Sequence, residues 1–412
     1  MSTYFDALET RSADERKSAL AIRLPQQIAH AKANTAWFAE SLKQVDAASI
    51  TSTAALAALP VVRKSDLIEL QKTQRPFGGL AASHWGKLGR VFSSPGPIYE
   101  PEGRSADYWR TARALYAAGF RAGDLVHNSF SYHMTPGAWI LEAGAQALGC
   151  TVFPAGVGQT EQQVAAMADL QPNGYVGTPS FLRILLEKAD ELDIKLPSLT
   201  KALVSGEAFL PPVRDALLAR GIAGYQAYAT AELGVIAYET EAREGLVIDE
   251  GVLVEIVRPG TGDPVAEGEV GEVVVTTFNS DYPLIRFGTG DLSAFLPGGS
   301  PCGRTNMRIK GWMGRADQTT KIKGMFVHPE QVAAVIKRHP EVCRARLVVT
   351  NPDSSDLMTL NCEVGLNRSE SLEKSIADSV RDVTKLRAEV RLVAVDSLPN
   401  DGKVIEDARK YD

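Results

Sequence analysis

The sequence predicts an α/β fold: a large N-terminal domain with mostly parallel sheets, helical crossovers and a β-rich subdomain, then a small α+β C-terminal lid domain. Three observations carry this. From about 104 to 230, short β-type runs alternate with helical stretches, as in strands joined by helical crossovers. Residues 245–278 break instead into alternating runs divided by Asp-Glu-Gly, Pro-Gly-Thr-Gly-Asp-Pro and Glu-Gly-Glu-Val-Gly-Glu, the turn chemistry of antiparallel hairpins. Finally, 412 residues exceed one ordinary core. The expected boundary is Gly314, with residues 1–314 as the large domain and 315–412 as the lid; a helical arm covers 1–85 and the β-rich part 245–295.

Composition narrows the class. Hydrophobic content of 44% and charged content of 23% are those of a globular chain. A net charge of −6 gives no basic surface for nucleic acid. No apolar run nears the roughly 20 residues of a membrane span, and no basic-then-apolar start marks a secretion signal. The expected location is cytoplasmic. Cys150, Cys302, Cys343 and Cys362 lie far apart, without the paired spacing of a structural zinc site.

Along the chain, residues 12–45 read as helix, with a second helix starting at Pro25. Residues 88–103 read as a proline-containing loop. Strands are expected at Asp124–Phe130, Gly149–Pro154, Gly174–Thr178 and Lys201–Ser205. Helices are expected at Ala106–Ala118, Pro136–Leu148, Thr160–Leu170, Pro179–Leu192 and Pro211–Arg220. Val252–Val257 and Val270–Thr276 are the β-rich strands. The lid reads helix His328–Arg338, strands Arg344–Thr350 and Met358–Gly365, helix Leu372–Leu386 and strand Glu389–Val395.

Several runs carry candidate chemistry, and each has a plainer alternative. Pro-Leu-Ile-Arg-Phe-Gly-Thr-Gly-Asp, 283–291, reads as a buried strand that breaks at Gly288 and Gly290 and delivers Asp291 at its end. A carboxylate so held suits vicinal hydroxyls such as those of a ribose; a turn with a satisfied Asp is the alternative. Gly-Arg-Ala-Asp-Gln-Thr-Thr-Lys-Ile-Lys-Gly, 314–324, is either a solvated loop or a charged hinge beside an anion. The loop 128–137 follows a strand, where ligands bind in open α/β folds. Its Phe130, Tyr132, His133 and Met134 either line an apolar or aromatic pocket or pack into the core. Gly206 lets backbone approach a flat ring, whereas Glu207 is equally a surface or helix-start acid. Lys403, after a glycine turn, has the composition of an exposed tail lysine.

In order and spacing these runs resemble the adenylate-forming superfamily of acyl-CoA synthetases, luciferases and adenylation domains, and within it the phenylacetate-CoA ligases. The resemblance spans about 20–405 and is strongest at 205–209, 228–232, 283–291, 314–324 and 398–403. It implies an ATP-dependent carboxylic acid–CoA ligase for an aryl or arylacetic acid such as phenylacetate, with ATP, Mg²⁺ and coenzyme A as cofactors. A small-molecule acid is the expected partner and a homodimer the candidate assembly; neither nucleic acid nor membrane is expected. Two alternatives stay open: an adenylating enzyme with a non-CoA acceptor, and a nucleotide-binding homologue that has lost catalysis.

The roles follow by resemblance. Ser93 and Ser94 belong to the phosphate loop. Gly206, Glu207 and Ala208 lie along the adenine, on which Tyr228 stacks beside Ala229. Glu232 ligates Mg²⁺, Asp291 binds the ribose, and Arg315 reaches ribose or phosphate. Asp317 is the hinge, and Lys403 is the catalytic lysine of adenylation. The chain also departs from the pattern: Pro97, Ile98 and Tyr99 stand where Thr-Thr-Gly belongs, and Ala231 replaces a hydroxyl residue. Lys64 and Asp66 match the N-terminal pattern and are expected to be structural.

Overall fold

Four consecutive parallel pairings dictate where ligand-facing loops can gather. In the computed structural model the strands Ala223–Thr230, Lys201–Val204, Gly174–Gly177, Leu125–Asn128 and Thr151–Pro154 lie side by side in that order, neighbours in register Leu203↔Tyr225, Val176↔Leu203, His127↔Tyr175 and His127↔Phe153. They belong to a nine-stranded sheet whose other side is antiparallel, through Gly234–Tyr238, Leu246–Ile248 and Arg308–Ile309. The structure describes residues 3–94, 97–316, 318, 320–322, 325–351, 356–365 and 368–409.

The crossovers are the helices Gly137–Ala147, Thr160–Leu170, Pro179–Glu191 and Pro211–Ala219. Their starts follow from local chemistry. Pro179 and Pro211 occupy first-turn positions where a missing N–H costs nothing, and Thr178 Oγ1 accepts from the Phe181 amide. Their apolar faces close two cores, one around Phe120, Val126, Leu141 and Val176, the other around Val164, Tyr175, Leu182 and Leu185.

The chain divides into two compact units. The first comprises 1–254, 274–289 and 296–312; the second comprises 255–273, 290–295 and 313–412. The second has a sheet ordered Glu389–Val393, Leu357–Val364, Val342–Thr350, Ile405–Asp407. The helices Pro329–Ile336 and Glu370–Thr384 contribute Val332, Val335, Ile376 and Val380 to its core. Among the described residues, no helix is long and apolar enough to cross a membrane.

Four local expectations are corrected. Pro25 lies inside the helix Ala13–Asn34 rather than opening a second one; the break comes at Thr35, before Ala36–Ser41. Burial of Leu24, Gln27, Ile28 and Ala31 outweighs the lost N–H bond. The helix expected from Ala106 starts only at Thr111, where Asp107 Oδ1 accepts from the Thr111 amide at 2.7 Å. The stretch 88–103 is an antiparallel hairpin, Arg90–Ser94 on Ile98–Glu102, fastened by Trp109 Nε1 donating to Glu102 at 3.0 Å. Finally, Phe287–Ser293 is one continuous strand, so Gly288 and Gly290 do not break it and Asp291 sits within it.

Candidate functional site

The loops after Asn128, Val204 and Thr230 all leave the carboxyl ends of parallel strands, which places Phe130, Gly206 and Glu232 along one edge of the sheet. The contacts bear this out for the first two. A Cβ on Gly206, at φ +84, would come 3.4 Å from Phe130 Cε1 and 3.6 Å from Thr178 Cγ2. Ser93 joins them, its amide donating to the Met134 carbonyl at 2.9 Å.

The remaining members of that loop diverge. Tyr132 turns into the protein, accepting from Asn128 Nδ2 at 2.9 Å and donating to Glu142 at 2.6 Å. Burial first, and then the Glu142 carboxylate, push its phenol well above the ordinary range. His133 is exposed, and Met134, at φ +63, is 60% exposed. Among the four candidates, Phe130 is the one in contact with the Gly206 loop. Glu207 and Ala208 are exposed. Glu207 accepts from the Ser180 amide at 3.0 Å and from its hydroxyl, so it caps the helix Pro179–Glu191. Against the pull of burial, those bonds hold its carboxyl below the usual range.

Tyr228 lies half-buried at a β-bulge, where the register shifts between Tyr228 and Ala229. A bulge re-aims side chains, and here the Tyr228 hydroxyl donates to Thr289 Oγ1 at 3.2 Å. Ala229 is likewise half-buried.

Glu232 is buried, and the ammonium of Lys64 stands 2.8 Å from its Oε1. Lys64 follows the short strand Val62–Arg63, which pairs in parallel with Phe287 and Gly288. The fully buried Arg286, at φ +48, secures the approach to that strand by donating to the carbonyls of Ala57 at 2.8 Å and Leu59 at 2.5 Å. Lys64, expected to be structural, is thus brought against the candidate Glu232. Its only signal was the Lys-Ser-Asp run after Leu-Pro.

Across the hairpin Ser94 Oγ donates to Glu100, a carboxyl with no solvent exposure. Burial drives Glu100 up to about 8, against the Ser94 bond and with help from the Glu232 charge. Among the described residues, Glu232 Oε2 and Glu100 Oε2 have no hydrogen-bond partner. A carboxylate oxygen left open at a strand end fits a hard cation that brings phosphate oxygens with it. Among the described residues no three His, Cys, Asp or Glu side chains cluster as a metal site, and Glu232 is the residue that would hold Mg²⁺ here.

In the second unit, Asp291 and Arg315 face one another. Arg315 Nη1 lies 2.9 Å from Asp291 Oδ1, and the two residues form an antiparallel bridge. The neighbouring amides of Leu292 and Ala316 donate to Gly314 at 2.9 Å and Gly290 at 2.7 Å. Asp317 lies outside the described residues. Lys403 is exposed and borders a cavity of about 570 Å³ with Arg258, Gly260, Lys337 and Asn400.

Two family matches fall on these segments: AMP-binding enzyme over residues 109–279, and AMP-binding enzyme C-terminal domain over 324–408. The chain is 30% identical to a phenylacetate-coenzyme A ligase of Aromatoleum evansii, over 94% of this chain and 92% of that one. The chain belongs to the AMP-binding enzyme family. Within these AMP-binding enzymes it is phenylacetate-CoA ligase-like, an acid–thiol ligase. A second such relative, from Thermus thermophilus, is 31% identical over 95% of this chain and 90% of that one. Among solved AMP-binding enzymes, a 2-hydroxyisobutyryl-CoA ligase in an open conformation with 2-HIB-AMP and CoA superposes with a TM-score of 0.73. It is 28% identical, over 97% of this chain and 92% of that one.

Proposed function

We propose that this chain joins an aryl or arylacetic acid, such as phenylacetate, to coenzyme A at the expense of ATP. The observation that carries the reading is the edge formed by Phe130, Gly206 and Glu232 at the carboxyl ends of the parallel strands, with Lys64 on Glu232. An aromatic side chain beside an open glycine backbone suits flat rings, while the acid and the ammonium suit a cation–phosphate pair.

In the first half-reaction a carboxylate oxygen of the acid attacks the α-phosphorus of ATP, and the bond to pyrophosphate breaks. Gly206 and Tyr228 hold the adenine, and Asp291 and Arg315 the ribose. Mg²⁺ held through Glu232 would neutralise phosphate charge. Lys64 and Lys403 would each add positive charge, so catalysis is mainly positioning and electrostatics. In the second half-reaction the thiol sulfur of CoA bonds to the acyl carbon and AMP leaves. Rotation about Asp317 would withdraw Lys403 between the two. Supporting this alternation, the 2-hydroxyisobutyryl-CoA ligase has been solved in both postadenylation and thioesterification states.

The test is carboxylate-dependent ATP–pyrophosphate exchange across arylacetic, benzoic and short hydroxy acids, followed by thioester formation with CoA. Arylacetic acids are expected to lead in both assays. Exchange without thioester would point to another acceptor, and the absence of exchange with every acid to a nucleotide-binding homologue that has lost catalysis.

A further inference from the structure

Among the described residues the side chain of Gln318 makes three hydrogen bonds, and all three go to the turn that carries Lys403. Its Nε2 donates to the Gly402 carbonyl at 3.0 Å; its Oε1 accepts from the Val404 amide at 2.5 Å and the Ile405 amide at 2.9 Å. The lysine is thus bracketed on both sides by one amide group. Only a glutamine of this length offers a donor and a two-lone-pair acceptor together: glutamate cannot donate, and asparagine is one methylene short.

The rest of the turn is fixed independently. Asn400 Oδ1 accepts from the Val270 amide at 3.0 Å, and its Nδ2 donates to Gly268 at 3.3 Å. Gly402, at φ +71, lies so close to Val270 that a Cβ would fall 2.7 Å from Cγ1. The Lys403 amide donates to Asp401 Oδ1 at 3.1 Å, while its side chain is exposed. A lysine's reach is set by where its Cα is held, because its own four-carbon stem carries no fixed geometry.

We propose that Gln318 is the positioning residue for Lys403, fixing the lysine's backbone so that the ammonium is presented in the adenylation half-reaction. This rests on Lys403 serving that half-reaction. Gln318 touches no reacting atom. It directly follows Asp317 in sequence, so it lies on the same side of the expected hinge as Lys403, whereas the Asn400 bonds reach Gly268 and Val270, which precede that hinge.

The experiment uses the full chain, the acid selected by the exchange screen and that acid's adenylate. Gln318→Leu is expected to lower kcat for ATP–pyrophosphate exchange by about tenfold or more, with the ATP KM little changed. Thioester formation from the supplied adenylate and CoA should stay within about twofold of the parent. Gln318→Glu, which keeps both amide bonds, should fall between the two. The proposal is overturned if Gln318→Leu leaves exchange unchanged while Lys403→Ala abolishes it, or if Gln318→Leu lowers both half-reactions by the same factor. Exchange that survives Lys403→Ala overturns the assignment of that lysine, and the proposal with it.

Discussion

Lys64 Nζ stands 2.8 Å from the buried carboxylate of Glu232, and nothing in the local sequence of either residue anticipates the other. In the proposed site the pairing would supply a cation near Pro97 and Ala231, which stand where the family resemblance expects hydroxyl residues. Lys64→Ala is expected to lower kcat/KM for ATP in pyrophosphate exchange on the order of tenfold, and Lys64→Arg less so. ATP saturation curves decide it. An unchanged curve would leave Lys64 as a partner for Glu232 alone.

Arg286 holds the approach to Lys64. Its guanidinium is fully buried and donates to Ala57 and Leu59. Arg286→Met strands both carbonyls, so a loss of roughly 3 kcal/mol is expected in chemical denaturation. Exchange activity should fall with it. Lysine would restore the charge without the forked geometry and rescue only in part. A loss below about 1 kcal/mol would show that this clamp is idle.

The fold was legible where periodicity is local, and the site only in pieces. The helix Thr160–Leu170 and the strand Val252–Val257 fall where apolar spacing put them. Ser-Ser-Pro-Gly-Pro looked like open loop, yet the Ser93↔Tyr99 and Ser94↔Ile98 pairings make its flanks a hairpin. Gly288 and Gly290 looked like breaks, but pairing of Phe287 and Gly288 with Val62 and Arg63 carries the strand through. That information is tertiary. For the same reason Tyr132 and His133 were grouped with Phe130 by sequence, although hydrogen bonds to Asn128 and Glu142 turn Tyr132 away.

Glu100 gives a pH signature. Its carboxyl, ordinarily near 4.5, is pushed up to about 8 by burial and by the Glu232 charge. The folded state therefore binds the extra proton between those values. Its contribution to stability is complete below about 4.5 and is lost as pH rises through about 8. In metal-free buffer, the stability of the parent should decline across this window by up to about 1.4 kcal/mol per pH unit from this group. Glu100→Gln should flatten the decline and be the more stable protein at pH 8.5. Parallel melting curves for the two proteins from pH 5 to 8.5 would refute the assignment.

Gly290 tests the Asp291–Arg315 pair. Its φ of +74 disfavours a side chain, and a Cβ there would fall 2.9 Å from Arg315 Nη2. Gly290→Ala should cost about 1–2 kcal/mol from backbone strain alone and displace the guanidinium from Asp291. AMP affinity measured by titration calorimetry should then weaken severalfold. Full affinity would remove this pair from the nucleotide site.

The strand Ile405–Asp407 runs parallel to Val342–Thr350 at the rim of its sheet, with Leu347 opposite Ile405. Lys403 stands two residues upstream, so its bearing is counted off from a ladder of main-chain bonds rather than chosen by its own torsions. Adding one residue after Val404 would break the spacing between Lys403 and that ladder while altering no side chain, and carboxylate-dependent ATP–pyrophosphate exchange should cease.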